Sequence, residues 1–299
     1  VNPSRHDPVP FGVINVGVIR MVPGKAQTPQ EIIESRLLIL DDLYPAEGAL
    51  SEEVVALRRD LYERQTLAKL AAGETGAVVT LTDGPLELFR DPSEQTLYNT
   101  LLQEYRTALH ALAELNAVTA GYVDKPASDL VVRLLELTLL PEDSLNQGRL
   151  PRPLRGVADI DLFRSLLKPG ERSAVFAIQS PSARHFTGAL RLHFFYLNVS
   201  SGAQPYLARV EIPAWVAQNP SLLNLLHATL LSQCRQMGIH PFPYAQHRAH
   251  EVAVESREEK QQLQDLIINE VRRNGGVVGP ASHKQLHKDQ TGNRTRYPG

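Results

Sequence analysis

The stretch VVTLTDGPLELF, Val78–Phe89, is an apolar, β-branched run that stops abruptly on Asp83, Gly84 and Pro85. Its first half predicts a buried strand, because β-branched side chains suit a pleated, covered surface. Asp-Gly-Pro then supplies turn chemistry: a short acid that bonds nearby backbone, a residue free to take positive φ, and a ring that fixes φ. Two readings of Asp83 stand on these residues alone. It is either a turn acid that satisfies local backbone groups or a carboxylate presented for chemistry at a strand's exit.

Outward from this strand the elements alternate. Upstream, FGVINVGVIRMV (Phe11–Val22) is apolar on both faces, as an interior strand should be. TPQE (Thr28–Glu31) reads as a helix start, with Thr28 as cap, Pro29 at the first helical position and Glu31 closing a capping box. The residues that follow, to Gly48, fit either a short helix or extended chain. Ser51 caps a clearer helix, with Glu52 and Glu53 in its first turn, that runs to Ala72 before Gly73. Downstream, residues 93–116 carry Leu97, Leu101, Tyr105, Leu109, Leu112 and Leu115 at helical spacing. AVTAGYVDKP predicts a strand that stops at Pro126, and Ser128 caps a helix through Leu137.

The second half changes texture. SAVFAI, ALRLHFFYLNV and YLARVEIP are three strands separated by Gly, Ser and Pro turns. A helix runs from Pro220 to Gly238, and another from Gln246 towards Arg273, with Ser256 and Glu259 forming an internal capping box that divides it. The pattern predicts an α/β fold, a mixed sheet flanked by helices with an additional hairpin-rich antiparallel portion. With no internal repeat or low-complexity linker, residues 1–276 read as one composite domain and residues 277–299 as a basic, partly extended tail.

Composition narrows the classes. The 299 residues, 42% hydrophobic and 21% charged, are enough for a sizeable core. Lys+Arg 31 against Asp+Glu 33 leaves a net charge of -2, so no global basic excess attracts nucleic acid. A single cysteine, Cys234, excludes an internal disulfide and a multi-cysteine zinc site, and points to a reducing, cytoplasmic compartment. Its apolar helix makes it a core filler. No apolar run approaches the roughly 18 residues of a membrane span, so no membrane association is expected.

The acids carry the chemistry. On the helix after Ser51, Val54, Leu57, Leu61 and Ala68 share one face, while Ala56, Leu67 and Leu70 form a second that also holds Glu63. A carboxylate in an apolar stripe is costly unless it is paired, hydrogen-bonded or on a metal. A salt bridge to Arg59 is one answer. The other is Asp83, 20 residues further on. Two carboxylates at roughly 4 Å repel by roughly 4 kcal/mol at an effective dielectric of 20, so a close pair implies a divalent cation or a shared proton. Oxygen ligands favour magnesium or manganese over zinc. His240, His247 and His250 lie close together, but Val254 takes the place of a second zincin histidine. Tyr196 and Glu211 lie on adjacent strands, as site groups or as a core aromatic and a partner of Arg209.

Taken in order, HDPVPFGVINVGVI, LRRDLYERQTLAKLA, TLTDGPL, FFYLNVS with ARVEIPAW, and YAQHRAHEVA resemble the NurA nuclease family, partners of HerA-type hexameric ATPases in DNA end processing. The resemblance spans nearly the whole chain. It implies an RNase H-like core and a manganese-dependent deoxyribonuclease, of 5'-3' exonuclease and single-strand endonuclease type, in end resection and double-strand break repair. Magnesium is the second metal it allows. It also implies a homodimer docked on the ATPase ring.

Its metal-site acids carry over to Glu63 and Asp83, its site tyrosine to Tyr196, its site histidine to His250 and, more weakly, a phosphate contact to Lys125. Two ions held by an upstream aspartate, Glu63 and Asp83 would activate water and stabilise the leaving oxygen. His250 would orient or protonate near them, and Tyr196 would contact substrate. Arg58, Arg59, Arg272, Arg273 and the tail cations Lys284, Lys288, Arg294 and Arg296 are the local clusters available for DNA. The family's opening Asp-Gly-Ser motif falls ahead of Val1, and Asp7 follows its expected place. Two rival readings are a catalytically impaired scaffold for the ATPase and a phosphohydrolase of small substrates.

Overall fold

The structure is a computed structural model that describes residues 9–24, 28–39, 42–43, 52–88, 95–141, 150–202, 204–254 and 256–278. Ser51, Ser93, Asp7 and the tail cations lie outside the described residues. The chain divides into two compact units, residues 1–66, 89–105 and 249–299 in the first and residues 67–88 and 106–248 in the second.

In the first unit, β1 (Gly12–Arg20) and β2 (Gln30–Leu38) form an antiparallel two-stranded sheet, in register from Gly12 opposite Leu38 to Arg20 opposite Gln30. The TPQE segment therefore leads into a strand and not a helix. Alternation outweighs the cap signal here: Glu34 and Arg36 point to one side, where Glu34 accepts from the Thr66 hydroxyl at 3.1 Å and Arg36 lies 3.9 Å over the Tyr62 ring. Among the described residues β1 pairs with β2 alone, so it is not an interior strand. Its second apolar face is covered by helix α7 (Tyr244–Ala253): Asn15 donates to the Ala253 carbonyl, and a Cβ at Gly17 would lie 2.4 Å from the Ala249 oxygen. Helix α8 (Arg257–Arg273) starts at Ser256, whose hydroxyl accepts from the Glu259 amide while the Glu259 carboxylate accepts from the Ser256 amide. That capping box separates it from α7, as the sequence predicts.

Helices α1 (Glu52–Ala72) and α2 (Gln95–Glu114), like α7, contribute residues to both units. The second unit is built on a five-stranded mixed sheet of β3 (Val79–Asp83), β4 (Val118–Val123), β5 (Phe176–Ala177), β6 (Leu192–Asn198) and β7 (Leu207–Pro213), in the order β3-β4-β7-β6-β5. β3 and β4 are parallel, joined through α2, and the remaining pairs are antiparallel. The α/β class, the mixed sheet and the hairpin-rich portion are thus those expected. One sheet face, with Val118, Ala120, Tyr122, Phe195, Leu197, Val210 and Ile212, belongs to a core cluster with Leu223, Leu226, Leu230 and Cys234 of helix α6 (Pro220–Gln236). Period-two alternation sends Gly121, Phe194, Tyr196, Arg209 and Glu211 to the opposite face.

Three short helices complete this unit. α3 (Leu130–Thr138) starts one residue after Asp129, so Ser128 is not its cap. The Ser128 hydroxyl is instead bonded to Tyr196 and Arg209. α4 (Asp159–Leu166) and α5 (Ala214–Ala217) were not anticipated, because each is too short to show a helical period.

Cys234 is fully buried, as a core filler should be, and burial pushes its thiol up to about 11. It is therefore protonated and unreactive at pH 8. Iodoacetamide should leave the folded chain unlabelled and label one site in urea, read by mass. Because the folded value exceeds the unfolded one, Cys234's contribution to stability is intact below pH 9 and is lost as pH rises through 11, by about 3 kcal/mol.

Candidate functional site

Asp83 closes β3 opposite Tyr122 and is exposed, although Thr82 before it is buried. The chain then turns: Gly84 takes a φ of +92°, which an L side chain resists, and its amide donates to the Tyr122 carbonyl at 2.8 Å. Residues 84–88 run on across the sheet as a strap. They cross β4 at Gly121, where a Cβ would lie 2.5 Å from the Gly84 oxygen and 3.0 Å from the Leu86 nitrogen. Beyond it, the Leu86 amide donates to Glu211 Oε2 on β7 at 2.9 Å, and the Ser180 hydroxyl bonds the Glu87 carboxylate. Leu86 and Leu88, within the strap, are fully buried. Asp83 is thus a turn acid in place but an exposed one, on a segment fastened at three points.

The Gly121 contact makes a prediction. Gly121→Ala forces a methyl group against backbone, which cannot swing away as a side chain would. A loss of about 1–3 kcal/mol is expected in urea unfolding, the usual size for overpacking. An unchanged midpoint would mean that the strap has another path.

Beneath the strap lies a buried polar network. Glu211 is 1% exposed; burial raises its pKa, and the Arg209 guanidinium, 2.7 Å away, opposes that rise. The pairing with Arg209 is the one the sequence offered. Arg209 Nη1 also donates to Ser128 Oγ at 2.7 Å, and Ser128 lies 3.1 Å from the Tyr196 hydroxyl. That hydroxyl donates to Asp159 Oδ2 at 2.8 Å, while Asp159 Oδ1 accepts from the Val132 amide at 2.8 Å. Tyr196 is 0% exposed and stacks on Phe163 with ring centres 4.9 Å apart. Its expected contact with substrate is not available in this geometry, because the ring is enclosed and the hydroxyl is engaged.

Lys125 follows β4 and is exposed, with a φ of +48° immediately before Pro126. A left-handed lysine, followed by proline, stores backbone strain. Its neighbour Asp124 accepts from the Tyr206 hydroxyl at 2.9 Å.

In the first unit, Glu63 is partly exposed, and Arg59 reaches it at 3.8 Å. The deeply buried charge on α1 is instead Arg64, 2% exposed, which donates to the Tyr105 hydroxyl at 3.3 Å and lies over its ring. Arg58 is largely covered and pairs with Asp42 at 3.4 Å, so it offers little to nucleic acid; Arg59 is half exposed, beside Asp60 and Glu63. His250 is exposed near the end of α7, and His240 is exposed after α6. Among the described residues no three His, Cys, Asp or Glu side chains gather as a metal site. The acids and the histidine at issue nevertheless have the donor chemistry of manganese and magnesium sites.

The sequence offers Ser128 as a helix cap only, and it does not single out Asp159, Arg64 or Gly121. The signal available for Gly121 was its isolation within a strand, which marks a close backbone approach. For Arg209 and Glu211 it was their i, i+2 spacing, which places both on one face.

The fold is α/β, a five-stranded mixed sheet with helices and a separate two-stranded antiparallel sheet. The chain matches the family model described as NurA domain over residues 1–255, and it belongs to the NurA family. This family is nuclease-like and associated with DNA processing, and it works with DNA and a partner ATPase. No curated protein and no solved structure matches the chain. Among the described residues, no helix is long and apolar enough to cross a membrane.

Proposed function

We propose that this chain is a metal-dependent deoxyribonuclease that processes DNA ends together with a HerA-type hexameric ATPase, as a cytoplasmic homodimer. The observation that carries the reading is the family match across residues 1–255, a span that contains Glu63, Asp83 and His250. These three serve as metal-binding side chains, with manganese as the preferred ion and magnesium the alternative. A bound divalent ion supplies Lewis-acid polarisation of the phosphodiester and a water of lowered pKa.

The chain's own residues do the remainder. Asp83 is exposed at the end of its strand, where solvent and an ion can reach it. Lys125, held outward by its strained backbone, meets a phosphate oxygen, and Arg59 is the better placed of the two α1 arginines to meet another. Tyr196 acts from within the fold. The net charge of -2 leaves long-range attraction weak, so delivery of DNA by the motor matters.

The test is direct. Full-length chain is incubated with linear single- and double-stranded DNA, with manganese, with magnesium and with chelator. Degradation with manganese and none with chelator is expected. Intact DNA with retained ATPase binding would make the protein a scaffold, and turnover of small phosphate esters without DNA cleavage would make it a phosphohydrolase.

A further inference from the structure

We infer that Glu211, acting through the Leu86 amide, is the positioning residue for Asp83, and that Tyr196 belongs to the same relay and not to the substrate surface. The inference rests on the reading of Asp83 as a metal-binding side chain.

Strand register assembles the relay. Gly121 lies opposite Glu211, and Tyr196 opposite Arg209, all on the sheet face that the strap crosses. The direction of its hydrogen bonds is set by Arg209, which can only donate. It donates to Glu211 Oε1 and to Ser128 Oγ, both at 2.7 Å. Ser128, having accepted from Arg209, turns its own hydrogen to the Tyr196 oxygen, and Tyr196 donates onward to Asp159. Every member therefore has one orientation.

At the other end, Glu211 Oε2 accepts from Leu86, three residues beyond Asp83. Ahead of Leu86, the Gly84 amide is bonded to the Tyr122 carbonyl on β4. The turn that presents Asp83 is thus bracketed by the sheet edge on one side and by Glu211 on the other. Burial works against the charge on Glu211, so Arg209 is needed to keep it a full acceptor.

The experiment follows DNA degradation by the full-length chain against manganese concentration, alongside melting temperature and KM for DNA. Glu211→Gln exchanges the charged acceptor of the Leu86 amide for a weaker, neutral one and breaks the ion pair with Arg209, so it loosens the link to the turn. The expected result is a rise of about 10-fold or more in the manganese giving half-maximal rate, the size seen when a partner of a metal ligand is lost. The rate at saturating manganese and the KM for DNA should stay near the parent's. Tyr196→Phe should move the half-saturating manganese in the same direction by a smaller factor.

A purely structural role would lower the melting temperature and leave the metal dependence alone. Half-saturation within about twofold of the parent overturns the inference. Should Glu211→Gln fail to fold, Arg209→Lys gives the same readout: a raised half-saturation supports the relay, and an unchanged one overturns it. If Asp83→Ala retains full activity, the metal reading of Asp83 fails and takes the inference with it. If Asp83→Ala is inactive while Glu211→Gln keeps the parent's metal dependence, only the positioning role fails.

Discussion

Asp83→Ala in the full-length chain is expected to abolish manganese-dependent degradation of linear DNA while hardly changing stability. Asp83 is exposed at the last position of β3, and the strap after it is held by Gly84, Leu86 and Glu87. Removing an exposed side chain of this kind costs within about 0.5 kcal/mol. For a chain of this size that is a change of about 2 °C in melting temperature. Loss of a metal ligand should cost more than the 10- to 100-fold typical of its outer partners, so a fall of at least about 100-fold is expected. Asp83→Asn separates charge from shape: it fits the same turn but binds a divalent ion poorly. Undiminished degradation by either variant would remove Asp83 from the chemistry and return it to the role of a turn acid.

Asp159→Ala should have the largest effect on stability. The carboxylate is 0% exposed and accepts from the Val132 amide and the Tyr196 hydroxyl, both at 2.8 Å. Alanine leaves the Val132 amide buried without this acceptor and leaves the Tyr196 hydroxyl with Ser128 alone. An orphaned buried group costs about 1–3 kcal/mol and a lost hydrogen bond about 1 kcal/mol, so a loss of about 2–4 kcal/mol is expected in urea unfolding. Tyr196→Phe removes a single hydroxyl and should cost less, about 1–2 kcal/mol, since Asp159 keeps Val132. A loss below about 0.5 kcal/mol for Asp159→Ala would mean that water enters and replaces the missing acceptor.

The candidate site was partly legible from local signals. Asp83 could be found because an apolar run ending on Asp-Gly-Pro is visible in one dimension. Glu63 was singled out from its helical stripe, yet it is the next residue, Arg64, that is buried to 2%. Neighbours on a helix differ by 100°, so a small rotation of the buried sector moves the cost from one charge to the other. Tyr196 read equally as a core aromatic or a site group, and strand alternation cannot separate these, because both faces of this sheet are covered.

Elements with a sustained period are legible in the chain without its fold: β3, β4, β6, β7, α1, α2 and α6, together with the capping box that opens α8. Period and capping are properties of a few consecutive residues. Long-range packing makes Gln30–Leu38 a strand, turns Ser128 to a sheet and not to a helix end, and encloses Tyr196. The bond from the Leu86 amide to Glu211 has the same origin, because these residues stand 125 apart in the chain and meet through the pairing of β4 with β7.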